Sequence, residues 1–413
     1  MQRHTRALAQ LREGWSLLRC RHHMRHQISL LLTYFMILPA LVPSAYAAAA
    51  RTLRKVQDIV VYEDAKFYSA FPSIVRRPDG ELLVAFRRAP ERRMFGESGI
   101  THTDPNSQLV LVRSRGDGKS WARDPELIYA HPFAGSQDPC MVQLRDGKIL
   151  CTSYAWSLLN TGAVSKLRKP VSRHGNFVFM GGFILRSSDG GHSWEKPIIP
   201  PTCRGEVNRD IYGEVVPAYN RGAMCEGRDG RLFWVVAATT TNAPGRTGVH
   251  LLISRDQGTS WDYSCPVAVD ANITFNETSI YETPKGDLVA FIRKEGSDGH
   301  TIVARSSDGG KSFSWRDAGF VGYPHHALRL PDDRVLLTYG YRQAPFGLRA
   351  RVLDPECTNV TNAPEMVIRD DGGTGDLGYP WATMLSKDRV LVVYYFNKAD
   401  GTRHIAGTVL QWE

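Results

Sequence analysis

The sequence predicts an all-β fold, a six-bladed β-propeller of four-stranded antiparallel blades. Three observations predict it. A turn phrase built on Asp-Gly or a close substitute, followed by an apolar run rich in β-branched and aromatic residues, occurs six times. A second phrase, S-x-D-x-G-x-S-W, follows several of those runs. Long helical periodicity is absent. The 413 residues, 42% hydrophobic with Gly 37 and Pro 23, can bury a large core and are neither collagen-like nor disordered.

The six turn phrases fall in order along the chain. They are Pro78–Phe86, Arg145–Tyr154, Arg228–Ala238, Pro284–Ile292, Pro331–Tyr339 and Ser386–Tyr395. Asp-Gly before such a run marks a hairpin, because the reversal needs residues that tolerate positive φ. Six hairpins at intervals of roughly 50–80 residues describe a radial array. No single repeat can bury its own apolar faces, so residues 55–413 are expected to form one propeller domain.

The second phrase is intact at Ser187–Trp194 and Ser254–Trp261, and at Ser306–Phe313 with Phe in the last place. Ser114–Trp121 is a degraded copy with Gly116 where the Asp belongs. Its chemistry is that of a self-locked turn: the Asp accepts N–H bonds within its own loop, Gly permits the reversal, and the final aromatic packs below. These carboxylates are structural. Such repeats are the Asp boxes of the sialidase (neuraminidase) superfamily, and the chain resembles those six-bladed propellers over nearly all of residues 55–413.

The innermost strand of each blade lines a central funnel, so the residues that begin it converge on one axis. These read Ala70–Phe71–Pro72, Gln137–Asp138–Pro139, Asn276–Glu277–Thr278, Gly322–Tyr323–Pro324 and Gly378–Tyr379–Pro380. Two carboxylates and two tyrosines therefore meet, with Asp138 and Tyr323 expected against the substrate. The resemblance gives a reason for the mixture. A sialic acid carries its own carboxylate beside the reacting carbon, which repels a carboxylate nucleophile, whereas a neutral phenol deprotonated by a nearby Glu can approach.

The resemblance implies that Glu277 is the base, Tyr379 the nucleophile, and Arg293 and Arg349 clamps for the substrate carboxylate, with Arg342 and Arg351 close to Arg349 in sequence. It implies Asp104 as acid/base, nearest in order to the family's proton donor. Arg88 is a candidate for a further clamp position, and His102 for acid/base work in a different chemistry. One departure stands out: Ala70 occupies the position of the family's first-blade arginine. Loss of a charge-assisted bidentate contact removes about 1.5–3 kcal/mol of carboxylate recognition. Another cation in that space would compensate. The basic run Arg87–Arg93 is expected to be solvated, or to meet an anionic glycan beside the funnel. His325 and His326 adjoin on a strand, so they face opposite ways and make a poor metal pair.

The expected activity is retaining hydrolysis of a terminal acidic sugar from a glycan, with neither cofactor nor metal. A uronic-acid or other glycan hydrolase or lyase on the same scaffold, and a non-catalytic carbohydrate-binding propeller, are the rival readings. The formal net charge is +9, but residues 1–47 hold six arginines against the single acid Glu13, leaving +4 for the rest. That is too mild for nucleic acid as the main partner. Residues 1–47 read as a secretory signal peptide: a basic start, the 15-residue apolar run Ile28–Val42, and the small-residue site Ala45–Tyr46–Ala47. The run is shorter than the ~20 residues of a membrane span, so export without a stable anchor is expected, with Met1 or Met24 as the start. Cys140, Cys151, Cys203, Cys225, Cys265 and Cys357 then remain, an even number that permits disulfides without metal or redox spacing.

Overall fold

Each of the six turn phrases joins the first two strands of a blade. The computed structural model describes residues 52–97, 103–296 and 298–412. After β1 (Leu53–Tyr62), blade 1 comprises β2 (Phe67–Arg76), β3 (Leu82–Pro90), β4 (Gln108–Ser114) and β5 (Glu126–Tyr129). Blade 2 comprises β6 (Gly135–Gln143), β7 (Ile149–Leu158), β8 (Arg173–His174) and β9 (Phe177–Ser187), in the spatial order β6-β7-β9-β8. Blade 3 is β10 (Cys225–Glu226), β11 (Leu232–Thr239), β12 (Thr247–Ser254) and β13 (Asp262–Ala268). Blade 4 is β14 (Phe275–Glu282), β15 (Leu288–Lys294), β16 (His300–Ser306) and β17 (Ser314–Val321). Blade 5 is β18 (His325–Arg329), β19 (Val335–Tyr341), β20 (Gly347–Leu353) and β21 (Glu365–Arg369). Blade 6 is β22 (Gly378–Met384), β23 (Arg389–Asn397) and β24 (Arg403–Trp412), completed by β1 at its outer edge.

Every ladder is antiparallel, and Leu53 of β1 pairs with Trp412 of β24. The two ends of the propeller are thereby joined within one sheet. The buried apolar residues separate into six clusters, one at each seam between neighbouring blades. A middle strand packs against a blade on each side, which is why Leu82–Phe86 reads as an unbroken apolar run and is wholly buried.

The Asp boxes behave as self-locked turns. Asp256 Oδ1 accepts from the Ser260 N–H at 2.8 Å and Oδ2 from the Ser260 hydroxyl at 2.6 Å; Asp189 and Asp308 repeat the pattern. Asp354 builds an equivalent turn with the Thr358 hydroxyl at 2.6 Å, in a segment with no glycine to announce it. The six cysteines outside residues 1–47 are free thiols. Among the described residues no helix is long and apolar enough to cross a membrane.

Candidate active site

The first strands of successive blades meet around the axis, and four of them break register at the same place. The ladder slips between Ala70 and Ser73, Gln137 and Cys140, Phe275 and Thr278, and Gly378 and Trp381. In three of these strands a proline follows the displaced residue and has no N–H to give the ladder, so pairing must lapse there. The displaced residues Phe71, Asp138 and Tyr379 take φ of 58°, 34° and 56°. Left-handed backbone costs a non-glycine residue on the order of 1–3 kcal/mol. The bulges turn these side chains toward the axis, where all three line a cavity of about 420 Å³.

Inside the cavity the Tyr379 hydroxyl donates to Glu277 Oε1. Arg293 Nη1 donates to Glu277 Oε2 at 2.7 Å and to the Tyr379 hydroxyl at 3.3 Å. Burial pushes the Glu277 carboxyl up, but Arg293, the Tyr379 hydroxyl and Arg342 outweigh it and hold the group below the usual glutamate value. Burial first, and the Glu277 charge second, hold the Tyr379 phenol well above its ordinary range. It is therefore neutral until a base takes its proton. Arg342 stands 5.0 Å over the Tyr379 ring, fixed by the Leu377 carbonyl at 3.0 Å and the Tyr395 hydroxyl at 2.8 Å. Tyr395 in turn donates to Asp376, which also accepts from Tyr68 and Arg403.

Across the cavity, Asp138 Oδ2 accepts from the Tyr154 hydroxyl at 3.1 Å, while its Oδ1 is buried with no partner. Burial lifts this carboxyl to about 6 despite the opposing charge of Arg221. Arg221, before β10, lies beneath the floor. It donates to the Pro72 carbonyl at 2.8 Å and to Cys140 Sγ at 3.0 Å, and its guanidinium sits 5.2 Å from both the Tyr379 and Trp381 rings. One side chain of blade 3 thus ties together blades 1, 2 and 6. Its neighbour Gly222, at φ 152°, would place a Cβ 2.0 Å from the Thr278 carbonyl oxygen, so only glycine allows this approach.

The remaining wall is aromatic. Tyr154, Trp156, Phe177 and Tyr219 line the cavity with His174. Tyr154 and Tyr219 are 4.6 Å apart, and Trp156 lies 5.4 Å from the buried Phe179. Most of this wall comes from the lengthened β7–β9 excursion. The lining thus combines Arg293 and the carboxylates of Asp138, Glu277 and Glu295 with a broad aromatic surface.

The structure brings Glu277, Tyr379, Arg293 and Asp138 together, as expected from sequence, and places Tyr323 behind them with its ring 4.7 Å from the Arg293 guanidinium. Four expectations are corrected. Asp104 is turned away from the cavity: Arg92 binds both its oxygens, at 2.6 and 3.0 Å, and the Asn106 N–H closes the turn. Arg349 is consumed by the Leu348, Arg369 and Pro345 carbonyls and does not line the cavity; Arg342 lies nearer, over the Tyr379 ring, but it too is outside the lining, and Arg293 is the lining's arginine among the described residues. Arg88 lies in a separate groove with Phe67 and His131. Arg87, expected to be solvated, is fully buried opposite Ala70 in the β2–β3 register, with no hydrogen-bond partner among the described residues on any side-chain nitrogen. A cation does stand beside Ala70, but it is sealed under Phe71 and Tyr68.

His325 and His326 face opposite sides, toward Thr301 and Ala382, and neither lines the cavity. His102, like residues 1–47, lies outside the described residues. Sequence reasoning missed Arg221, because Asn220–Arg221–Gly222 lacks the proline that marks the other strand starts. It also missed the aromatic wall.

Residues 169–387 match the family described as BNR repeat-like domain. A protein of unknown function from Dyadobacter fermentans DSM 18053 is 57% identical, covers 87% of this chain and 99% of its own, and superposes with a TM-score of 0.84. Hadza microbial sialidase Hz136 superposes with a TM-score of 0.58 at 16% identity, over 83% of this chain and 65% of its own. Xyloglucanase Xgh74A of Acetivibrio thermocellus is 27% identical over 176 residues, 40% of this chain. That match spans a fifth of the xyloglucanase's length.

Proposed function

The chain belongs to the BNR repeat-like domain family, and from that membership and the chemistry of its funnel we propose that it is a retaining exo-glycosidase removing a terminal acidic sugar of the sialic acid type from glycans. The observation that carries this reading is the Tyr379–Glu277 hydrogen bond with Arg293 against both groups. A phenol held beside a carboxylate and two guanidiniums suits a sugar whose own carboxylate adjoins the reacting carbon. In the first step Glu277 takes the phenolic proton as the Tyr379 oxygen bonds to the anomeric carbon. The bond to the leaving oxygen breaks, and that oxygen takes a proton from an acid. Water then attacks the glycosyl-tyrosine and gives a proton back to that acid, while the departing phenolate recovers its own from Glu277. Arg293 holds the substrate carboxylate, Arg342 adds positive charge from behind the Tyr379 ring, and the aromatic wall receives the departing glycan.

The test is hydrolysis of an aryl α-sialoside by the purified protein, with Tyr379→Phe as control. Turnover by the parent and none by the variant supports the reading. Equal turnover in both, or cleavage only of other glycosides, rejects it. Ala70 and the extent of aromatic lining favour a second reading, a uronic-acid or neutral glycan substrate on the same scaffold. Glycan binding without cleavage of any glycoside would assign a binding module instead. We also propose export after loss of residues 1–47, checked by N-terminal sequencing of the exported protein.

A further inference from the structure

The funnel has a nucleophile and its base, but the loop acid expected from sequence is tied to Arg92. Among the described residues lining the cavity, the carboxylates are Asp138, Glu277 and Glu295. Glu277 is engaged by Tyr379 and Arg293, and Glu295 by the Asn276 amide at 2.6 Å. Asp138 differs from both. It is 2% exposed, makes no ion pair among the described residues, and keeps Oδ1 unpartnered. A left-handed backbone at a bulge holds it on the cavity wall, and the Tyr154 hydroxyl fixes Oδ2. Asp138 thus lines the cavity with its carboxyl buried and Oδ1 unpartnered among the described residues, and a buried carboxyl at the wall of a cavity is suited to carry a proton.

We propose that Asp138 is the proton-transfer residue of this funnel, giving a proton to the departing glycosidic oxygen and then taking one from the attacking water, with Tyr154 as its positioning residue. The proposal rests on the glycosidase reading above. The proton leaves Asp138 as the carbon–oxygen bond breaks, and returns when water adds to the glycosyl-tyrosine, so the residue ends each cycle as it began. The electrostatics of the site agree: burial raises the carboxyl to about 6. Arg221 opposes that from below and Arg87 from blade 1, Glu277 reinforces it across the axis, and the Tyr154 hydrogen bond favours the ionised form. Tyr379, Tyr219 and Cys140 complete the set of titratable groups coupled to it. None of the guanidiniums bonds to the carboxylate, so its acidity is tuned without the proton being lost to a salt bridge.

Asp138→Asn and Asp104→Asn are compared with the parent on two aryl glycosides, one with a strongly and one with a weakly activated leaving group. Asp138→Asn is expected to lose about 10²–10⁴-fold on the weakly activated substrate and far less on the activated one, and to lose the alkaline limb of the pH–rate profile. Equal losses on both, or this pattern in Asp104→Asn, overturns the proposal. A second measurement needs no substrate: carboxyl ¹³C NMR titration of the parent against Asp138→Asn. A carboxyl titrating near 6 that vanishes in the variant supports the proposal, and an Asp138 titrating near 4 overturns it. If no sialoside is cut but another aryl glycoside is, the substrate reading fails while the leaving-group comparison still decides Asp138.

Discussion

The hydroxyl of Tyr379, on the innermost strand of blade 6, donates to Glu277, on the innermost strand of blade 4. The pair spans 102 residues of sequence and skips a blade. Because Arg293 also holds the second oxygen of Glu277 at 2.7 Å, removing the phenolic oxygen leaves that carboxylate paired and the site intact. Tyr379→Phe is therefore expected to abolish turnover, by about 10³-fold or more, while glycan binding measured by calorimetry changes little. A comparable loss of binding would show that the hydroxyl serves recognition rather than attack.

Asp138 makes stability depend on pH in a definite sense. Its folded carboxyl is raised from 3.8 to about 6 by burial, so it binds its proton more tightly folded than unfolded. The stabilisation is complete below 4 and fades as pH rises through 6, a change of about 3 kcal/mol. Asp138→Asn should accordingly raise the Tm relative to the parent at pH 8 and lose that advantage at pH 4. The same Tm difference at both values would place the carboxyl's titration outside this window.

Tyr154 favours the ionised form of Asp138 by donating to Oδ2. In Tyr154→Phe the carboxyl loses that donor, its proton is held to higher pH, and the alkaline limb of kcat/KM should move upward. A merely structural role would lower the rate without moving the limb.

Arg87 is a charge sealed in the seam between blades 1 and 2, with no hydrogen bond on Nε, Nη1 or Nη2. Its compensation comes from the Tyr68 and Phe71 rings, at 5.5 and 5.9 Å, and from the charge of Asp138. Replacing an unbonded buried cation by an apolar side chain of similar length costs little or stabilises. Arg87→Met is expected to keep or raise the Tm while shifting the alkaline limb upward, because one of the two cations opposing protonation of Asp138 is gone. A fall of several degrees would instead mark Arg87 as a packing requirement.

Trp156 lines the cavity and packs on Phe179. If the departing glycan rests there, Trp156→Ala raises KM for an oligosaccharide by about tenfold, the order expected for losing one aromatic contact, and leaves a small aryl glycoside nearly unaffected. Equal effects on both substrates would move the leaving group elsewhere.

How much of this was legible depended on how local the signal is. All six blades could be counted from turns, because positive φ at a hairpin and a self-bonded Asp loop are decided within a few residues; Gly80 at φ 90° and the Asp256 loop are examples. Asp354 escaped because its loop makes the same bonds without glycine. Glu277 and Tyr379 were legible from their place at the start of inner strands. The roles of Asp104 and Arg349 were not, since each is decided by distant or flanking groups that capture the side chain before it reaches the funnel. Arg342 stands over Tyr379 only because Leu377 and Tyr395 hold it. Arg221 and Arg87 act at seams between blades, and such positions exist only after the ring has formed.

The strand that begins at Leu53 hydrogen-bonds to the one that ends at Trp412, and Tyr379 belongs to that same sheet. The blade bearing Tyr379 is thus the one stitched from both extremities of the propeller. A chain still lacking β24 has no seat for β1, so this blade is completed only when the head of the propeller has found its tail. A circular permutant opened at another seam would change that: the Tyr379 blade would be continuous in sequence, and a blade without Tyr379 would be left to make the clasp.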